Sequence, residues 1–358
     1  MKINAYVAVF GIVAVVIAAA AISTVVLTQG QGQSGGAVSN LPDLGKAADF
    51  QGIAGWINSP PLNISELRGK VVLIDFWTYS CINCIRTIPY LNAWYSKYGN
   101  DGLVIVGVET PEFQFEGNFT NVLTAVKSFG IKYPVAIDNN DDTWNAYNNH
   151  YWPADYLIDK NGDVRLIQIG EGDYNSTEAS IRVLLQEAGY TLNSGIIANS
   201  VNATKVNFAE IGTPELYVGY GTARSPIGNA QGFSPDQVVN YTLDGPLQNS
   251  TAYFSGAWYN AQDGMIAAGN NSKVYLVYDA KVVNIVAQGN SSTISAELDG
   301  RNLSPAYLGT DMGLKGGLAS TTVSMARLYN IVNGPSYGWH ELVITAGPGF
   351  KLYTFTFG

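Results

Sequence analysis

Two cysteines are all that this chain of 358 residues contains, and they stand together as Cys81-Ile82-Asn83-Cys84. Such a pair is a redox couple or half of a metal site. Ahead of it runs Val71-Val72-Leu73-Ile74-Asp75-Phe76-Trp77, apolar and β-branched in the manner of a buried strand. A short turn follows, and a helical pattern opens at Cys81. A sulfur at a helix start meets unpaired backbone N–H groups and the positive end of the helix dipole. That placement predicts Cys81 as the nucleophile and Cys84, one turn further in, as the resolving thiol. A zinc site would need two more ligands, and the chain offers only His150 and His340. No metal is expected, and no cofactor beyond the redox-active pair Cys81–Cys84.

The surroundings of the pair resemble the active site of the thioredoxin superfamily. Asp75, six residues before Cys81, stands where that family keeps a buried acid. Trp77 matches its packing tryptophan and Pro89 the proline of its active-site helix. Trp152-Pro153 is placed as its cis-proline, ahead of the strand-like Tyr156-Leu157-Ile158 and the turn Asn161-Gly162. The strings WTYSCINCIRTIPYLNAWY, TPEF, YPVAIDN and YWPADYLIDKNG are similar to the periplasmic portion of DipZ-type thiol-disulfide proteins. Those are relatives of the TlpA and ResA proteins of cytochrome c maturation. The likeness is strong over residues 41–190 and looser to the C-terminus. A peroxidase is the nearer alternative, because Thr78-Tyr79-Ser80-Cys81 supplies Thr-x-x-Cys. The proline of that family is replaced by Ile74, however, and a vicinal Cys84 adds little to peroxide reduction.

The resemblance implies thiol-disulfide exchange, with Cys81 and Cys84 catalytic and Asp75 the base that takes the Cys84 proton. An apolar strand raises a carboxyl's pKa towards the range where it can exchange protons. Trp77, Trp152 and Pro153 are the expected substrate-binding residues. Glu109 and Glu112 are at the end of the second strand, where this branch places acids that tune the thiols; solvated loop acids are the rival reading. Substrates would be exported cysteine-containing proteins, reduced or exchanged. Ile82-Asn83 does not decide the potential, so an oxidase or isomerase stays open.

To hold these residues, Gly102 to Glu109 should form a second strand and Gly117 to Gly130 a helix. Tyr133 to Asp138 reads as a strand and Asp141 to Asn149 as a helix. Ala154 to Lys160 and Asp163 to Ile169 form a hairpin at Asn161-Gly162. A closing helix opens at Asn175, with Glu178 as its capping-box acid. The result is an α/β thioredoxin-like domain with a mixed sheet and helices on both faces.

The rest of the chain sets this domain in context. Ala5 to Leu27 carries no charge and is long enough to cross a bilayer as a helix. The expected order is a transmembrane anchor or signal over 1–27, a flexible linker over 28–40 and the thioredoxin-like domain over 41–192. A linker over 193–206 and an all-β sandwich over 207–358 follow. The bulk would lie outside the cytoplasm, held by a single span in the plasma membrane. One span carries no electrons across a bilayer, so a reductase would need a separate membrane electron donor. Only 13% of residues are charged and the net charge is −9, which excludes the basic surface of a nucleic-acid binder. Nine Asn-x-Ser/Thr sequons suggest a glycoprotein. The C-terminal half resembles the jelly-roll, carbohydrate-module-like domain of DipZ-type proteins. Trp258, Tyr259, Tyr337 and Trp339 are its candidate glycan-binding aromatics, unless they fill the core. A surface glycan-binding protein with an ancillary thioredoxin domain is the alternative of another class. Residues 207–358 are expected to fold alone and to contribute nothing to the exchange chemistry.

Overall fold

In the computed structural model, which describes residues 41–193 and 195–358, Val71–Trp77 runs inside a six-stranded sheet with every residue buried. The stretches 5–27 and 28–40, expected as membrane span and linker, lie outside the described residues. Among the described residues no helix is long and apolar enough to cross a membrane.

The first half contains β1 Gly55–Ile57, β2 Val71–Trp77, α1 Ile82–Tyr98, β3 Leu103–Glu109, α2 Phe119–Ser128 and β4 Val135–Ile137. It continues with α3 Asp142–Ala146, β5 Ala154–Ile158, β6 Val164–Ile169 and α4 Tyr174–Glu187. The sheet order is β1-β4-β3-β2-β5-β6. β2, β3 and β4 are parallel, β1 and β5 run against them, and β6, antiparallel to β5, returns to their direction. Alternation along β2 assigns the two faces. Leu73 and Trp77 pack with Leu91 and Trp94 of α1, Val122 of α2 and Leu184 of α4. Val72, Ile74 and Phe76 pack on the opposite side with Trp144 of α3 and with Phe50 and Trp56 of the lead-in. Both faces are covered, so β2 is apolar at every position but Asp75 instead of alternating.

The start of α4 differs from the expected capping box. Its N-cap is Asp173, in the left-handed region and without a side-chain cap. Glu178 is buried instead. It accepts the N–H groups of Ile197 (2.9 Å) and Ala198 (2.7 Å) and the hydroxyl of Tyr98. A carboxylate facing the core must find donors there, and these tie the connecting segment to the helix layer.

The second half is all β. It comprises β7 Leu216–Tyr217, β8 Val238–Tyr241, β9 Ala252–Ala261, β10 Gly264–Ala267, β11 Ser272–Asp279, β12 Val282–Gln288 and β13 Ser292–Leu298. Then come β14 Arg301–Asn302, β15 Gly313–Lys315, β16 Leu318–Val323, β17 Arg327–Asn333, β18 Trp339–Ala346 and β19 Lys351–Phe357. β9 belongs to two layers. Ala252 to Ser255 pair with β11, whereas from Gly256 onward the strand pairs with β8 and β10. Gly256 has φ +80°, a bend that side-chain-bearing residues resist. One layer runs β15-β16-β13-β18-β11-β9 and the other β9-β10-β19-β12-β17. The β16 strand ends after Val323 and a new one begins at Arg327. This lets β16 pair with β13 in one layer and β17 with β12 in the other. Phe254, Trp258, Leu276, Tyr278, Ile344 and Phe355 fill the space between.

Burial along these strands reveals how the halves meet. β11 alternates between buried and half-buried positions over all eight residues. β12 and β19 are buried almost throughout. Their outer face lies on the first half, where Val286 and Tyr353 pack against Phe113, just beyond β3. The Tyr353 ring is 5.0 Å from that of Phe113 and 4.9 Å from that of Phe115.

Candidate active site

Cys81 is the N-cap of α1, with extended backbone at φ −74° and ψ 116°. Its Sγ accepts the N–H of Cys84 at 3.3 Å, and its carbonyl accepts the N–H of Ile85 at 3.0 Å. Both thiols are free; Cys81 is partly exposed and Cys84 is 1% exposed. Burial pushes the Cys84 thiol well above its ordinary value, and the neighbouring Cys81 and Asp75 push it further. Pro89 lies within α1, one turn beyond Cys84.

Beneath the thiols are two acids. The antiparallel register of β2 and β5 places Asp75 opposite Asp155. They are 1% and 6% exposed, and Oδ1 of each has no hydrogen-bond partner. Burial raises both carboxyls, and the charge of Asp155 raises Asp75 further. Asp155 was missed in the sequence, although an acid inside the apolar run Ala154–Ile158 was a visible signal. Trp77 requires a correction. It is fully buried, its Nε1 has no partner, and a Cβ added to Gly107 would lie 2.8 Å from that nitrogen. No docked chain can reach it, so it is a packing residue and not a substrate-binding one.

The acids after β3 are not solvated. Glu109 is fully buried, with the Thr78 hydroxyl donating to it at 3.4 Å. Burial and the nearby Glu116 raise its pKa. Glu112 accepts the hydroxyl of Tyr217, which comes from the β half. Burial and Glu116 push Glu112 up to about 8. Glu116, not singled out in the sequence, organises this corner. Its Oε2 accepts the N–H groups of Glu112 and Phe113, both at 2.8 Å, and its Oε1 accepts the hydroxyl of Ser80, next to Cys81.

Cys81 opens into a cavity of about 220 Å³. His150 and Trp152 wall it from the first half; Glu215, Tyr217, Arg224, Thr354 and Thr356 wall it from the second. Arg224 lies over the Tyr217 ring, 4.6 Å from its centroid. The Trp152–Pro153 bond is cis, and Trp152 Nε1 donates to the carbonyl of Thr110 at 3.1 Å. The expectation that residues 207–358 stand apart from the exchange site therefore fails, because they form one side of it. A larger cleft of about 780 Å³ runs past Ile82, Ile85 and Pro89 of α1 to Ala326 and Leu328, and neither cysteine lines it. The four aromatics offered for glycan do not share a face. Trp258 is fully buried, Tyr259 lies in the β8-β9-β10 ribbon, and Trp339 is half exposed at the start of β18 in the other layer. The Tyr337 hydroxyl accepts the N–H of Asn207.

A Cys-x-x-Cys pair at the head of a helix, fed by a parallel strand of a mixed sheet, with a cis X-Pro bond beside it, defines a thioredoxin-like domain. Residues 45–167 match the AhpC/TSA family, and residues 213–358 match the thioredoxin like C-terminal domain. The chain is a homologue of DipZ over most of its length. It is 37% identical to protein DipZ of Mycobacterium tuberculosis across 336 residues, 89% of this chain and 44% of that protein. It thus spans less than half the length of the DipZ proteins it matches. It is also 37% identical to the thiol-disulfide oxidoreductase ResA of Geobacillus kaustophilus over 107 residues, 30% of this chain and 59% of ResA. A crystal structure assigned to a thiol:disulfide interchange protein DsbE of Chlorobium tepidum is 27% identical, with a TM-score of 0.36. It covers 41% of this chain and 99% of that one.

Proposed function

We propose that this protein is an extracytoplasmic thiol-disulfide oxidoreductase that reduces or exchanges disulfides in exported proteins, using Cys81 and Cys84 alone as its redox centre. One observation carries the reading: a partly exposed Cys81 sulfur receives a helix-start N–H while Cys84 is buried behind it, over Asp75. Exchange needs that asymmetry. Cys81 attacks a substrate disulfide and holds the mixed disulfide. Cys84 then attacks Cys81 and releases the substrate, passing its proton to Asp75. Trp152 and the sandwich residues around the Cys81 cavity position the bound segment. The uncharged stretch Ala5 to Leu27 supports tethering at a membrane. Reduction would then draw electrons from a separate membrane donor.

The test is capture. Cys84→Ser removes the resolving attack and leaves Cys81 reactive. Expressed in the native compartment, it should accumulate covalent adducts with exported cysteine proteins, lost on reduction and absent from the Cys81→Ser/Cys84→Ser double variant. A Cys84→Ser protein that forms no such adducts would overturn the reading.

A further inference from the structure

Asp155 sits where an isolated carboxylate is least tolerated. Directly opposed residues on antiparallel strands keep their Cβ atoms about 4.5–5.5 Å apart, and Asp155 is the direct partner of Asp75. Leu73, Trp77 and Leu157 lie in the same core cluster as Cys84, so alternation brings Asp75 and Asp155 to the face that carries this thiol. One oxygen of each has no donor. Among the described residues neither carboxyl forms a salt bridge. The titratable groups that face them are Cys84 from α1 and Tyr133 from the segment entering β4, whose hydroxyl is also unpartnered. Two full negative charges cannot persist side by side without water or a cation. A proton between them removes one charge and makes one carboxyl a donor to the other.

We propose that Asp75 and Asp155 share one proton as a dyad beneath Cys84, with Asp155 the positioning residue that determines when Asp75 can take a proton. This rests on the exchange reading. During resolution the dyad, its shared proton released to solvent, takes the Cys84 proton as that sulfur attacks Cys81 Sγ. The Cys81–Cys84 bond forms, the bond from Cys81 to the substrate sulfur breaks, and the substrate departs as a thiolate that solvent protonates. The cysteine pair loses two electrons and the substrate disulfide gains them. The dyad is again left with one shared proton. Mutual repulsion keeps a paired carboxyl protonatable at higher pH than a lone one.

The experiment follows mixed-disulfide resolution against pH. In Asp155→Asn the midpoint should fall by about one pH unit or more, and the plateau rate by about tenfold. Asp155→Glu should restore the midpoint. The Asp75→Asn/Asp155→Asn double variant should lose no more than the worse single variant, as residues acting as a unit do. An unmoved midpoint in Asp155→Asn overturns the dyad. Should that variant not fold, carbon-13 NMR of aspartate-labelled wild-type protein decides. Two coupled, well-separated titration steps support the dyad; two independent titrations in the ordinary carboxylate range overturn it. The NMR readout needs no turnover. Failure of the dyad is thereby distinguishable from failure of the exchange reading, which would leave no mixed disulfide to resolve.

Discussion

Around Cys81, individual side chains do their work by satisfying or denying one another's polar atoms. Cys84 lacks the water that would stabilise its charged form, so it depends on a neighbouring base. Glu116 does the opposite service. It meets two backbone N–H groups and the Ser80 hydroxyl from a fully buried position, and so holds the turn that presents Cys81. Glu116→Ala would strand those donors in the interior. The expected loss is about 3 kcal/mol of folding stability, read from the urea midpoint at constant m-value. A loss no larger than that of an exposed glutamate would show the corner to be held by something else.

Among the elements, β9 shows how a backbone angle builds architecture. Without the bend at Gly256 the strand could not leave the β11 side and join β8 and β10, and the layers would lose their shared edge. A Cβ at Gly256 would meet only ordinary contacts, the nearest being Ser272 Cα at 3.4 Å. Any cost of Gly256→Ala is therefore that of forcing an L-residue to φ +80°. It should be about 1–2 kcal/mol by chemical denaturation. Gly338→Ala serves as the control, since a Cβ there meets nothing and its φ is not positive. Equal losses at the two positions would remove the bend from the account.

Taken as a whole, the protein buries acids both inside the first half's sheet and at its contact with the β half. Asp75, Asp155, Glu109, Glu112 and Glu116 all have raised pKa values, with burial the largest cause in each. In the unfolded chain these groups ionise at ordinary values. Between those values and the raised ones, the native state retains protons that the unfolded state has lost. Unfolding then releases protons, and stability falls as pH rises. For Glu112 the window runs from its ordinary value of 4.5 to about 8. Asp159 and Asp299 shift downward, held by backbone N–H groups and by Arg165 and His340, and withdraw their stabilisation only in stronger acid. The urea midpoint should therefore be highest in mild acid and decline towards pH 8. A midpoint that rises over that interval would contradict the burial of these acids.

Much of the first half was legible from short-range pattern. The apolar run Val71–Trp77, the cysteine at the helix start, the Asn161-Gly162 turn and the Trp152-Pro153 pair are set by residues within a few positions of each other, where dihedral preference and hydrophobic period act directly. Cys81 and Cys84 could be named on that basis, and Asp75 from the resemblance to the thioredoxin superfamily. Strand register and the docking of the halves could not. Asp155 becomes a partner of Asp75 only because β5 pairs with β2 across 80 residues. Trp77 shows nothing in its spacing that tells a fully buried indole from a substrate contact. Glu109 and Glu112 look like loop acids until pairing with β2 and β4 encloses the first and Tyr217 of the β half meets the second. Tyr217 and Arg224 border Cys81 from more than 130 residues away. Such proximity is decided by which apolar faces find each other, and burial then alters the chemistry of every acid caught between them.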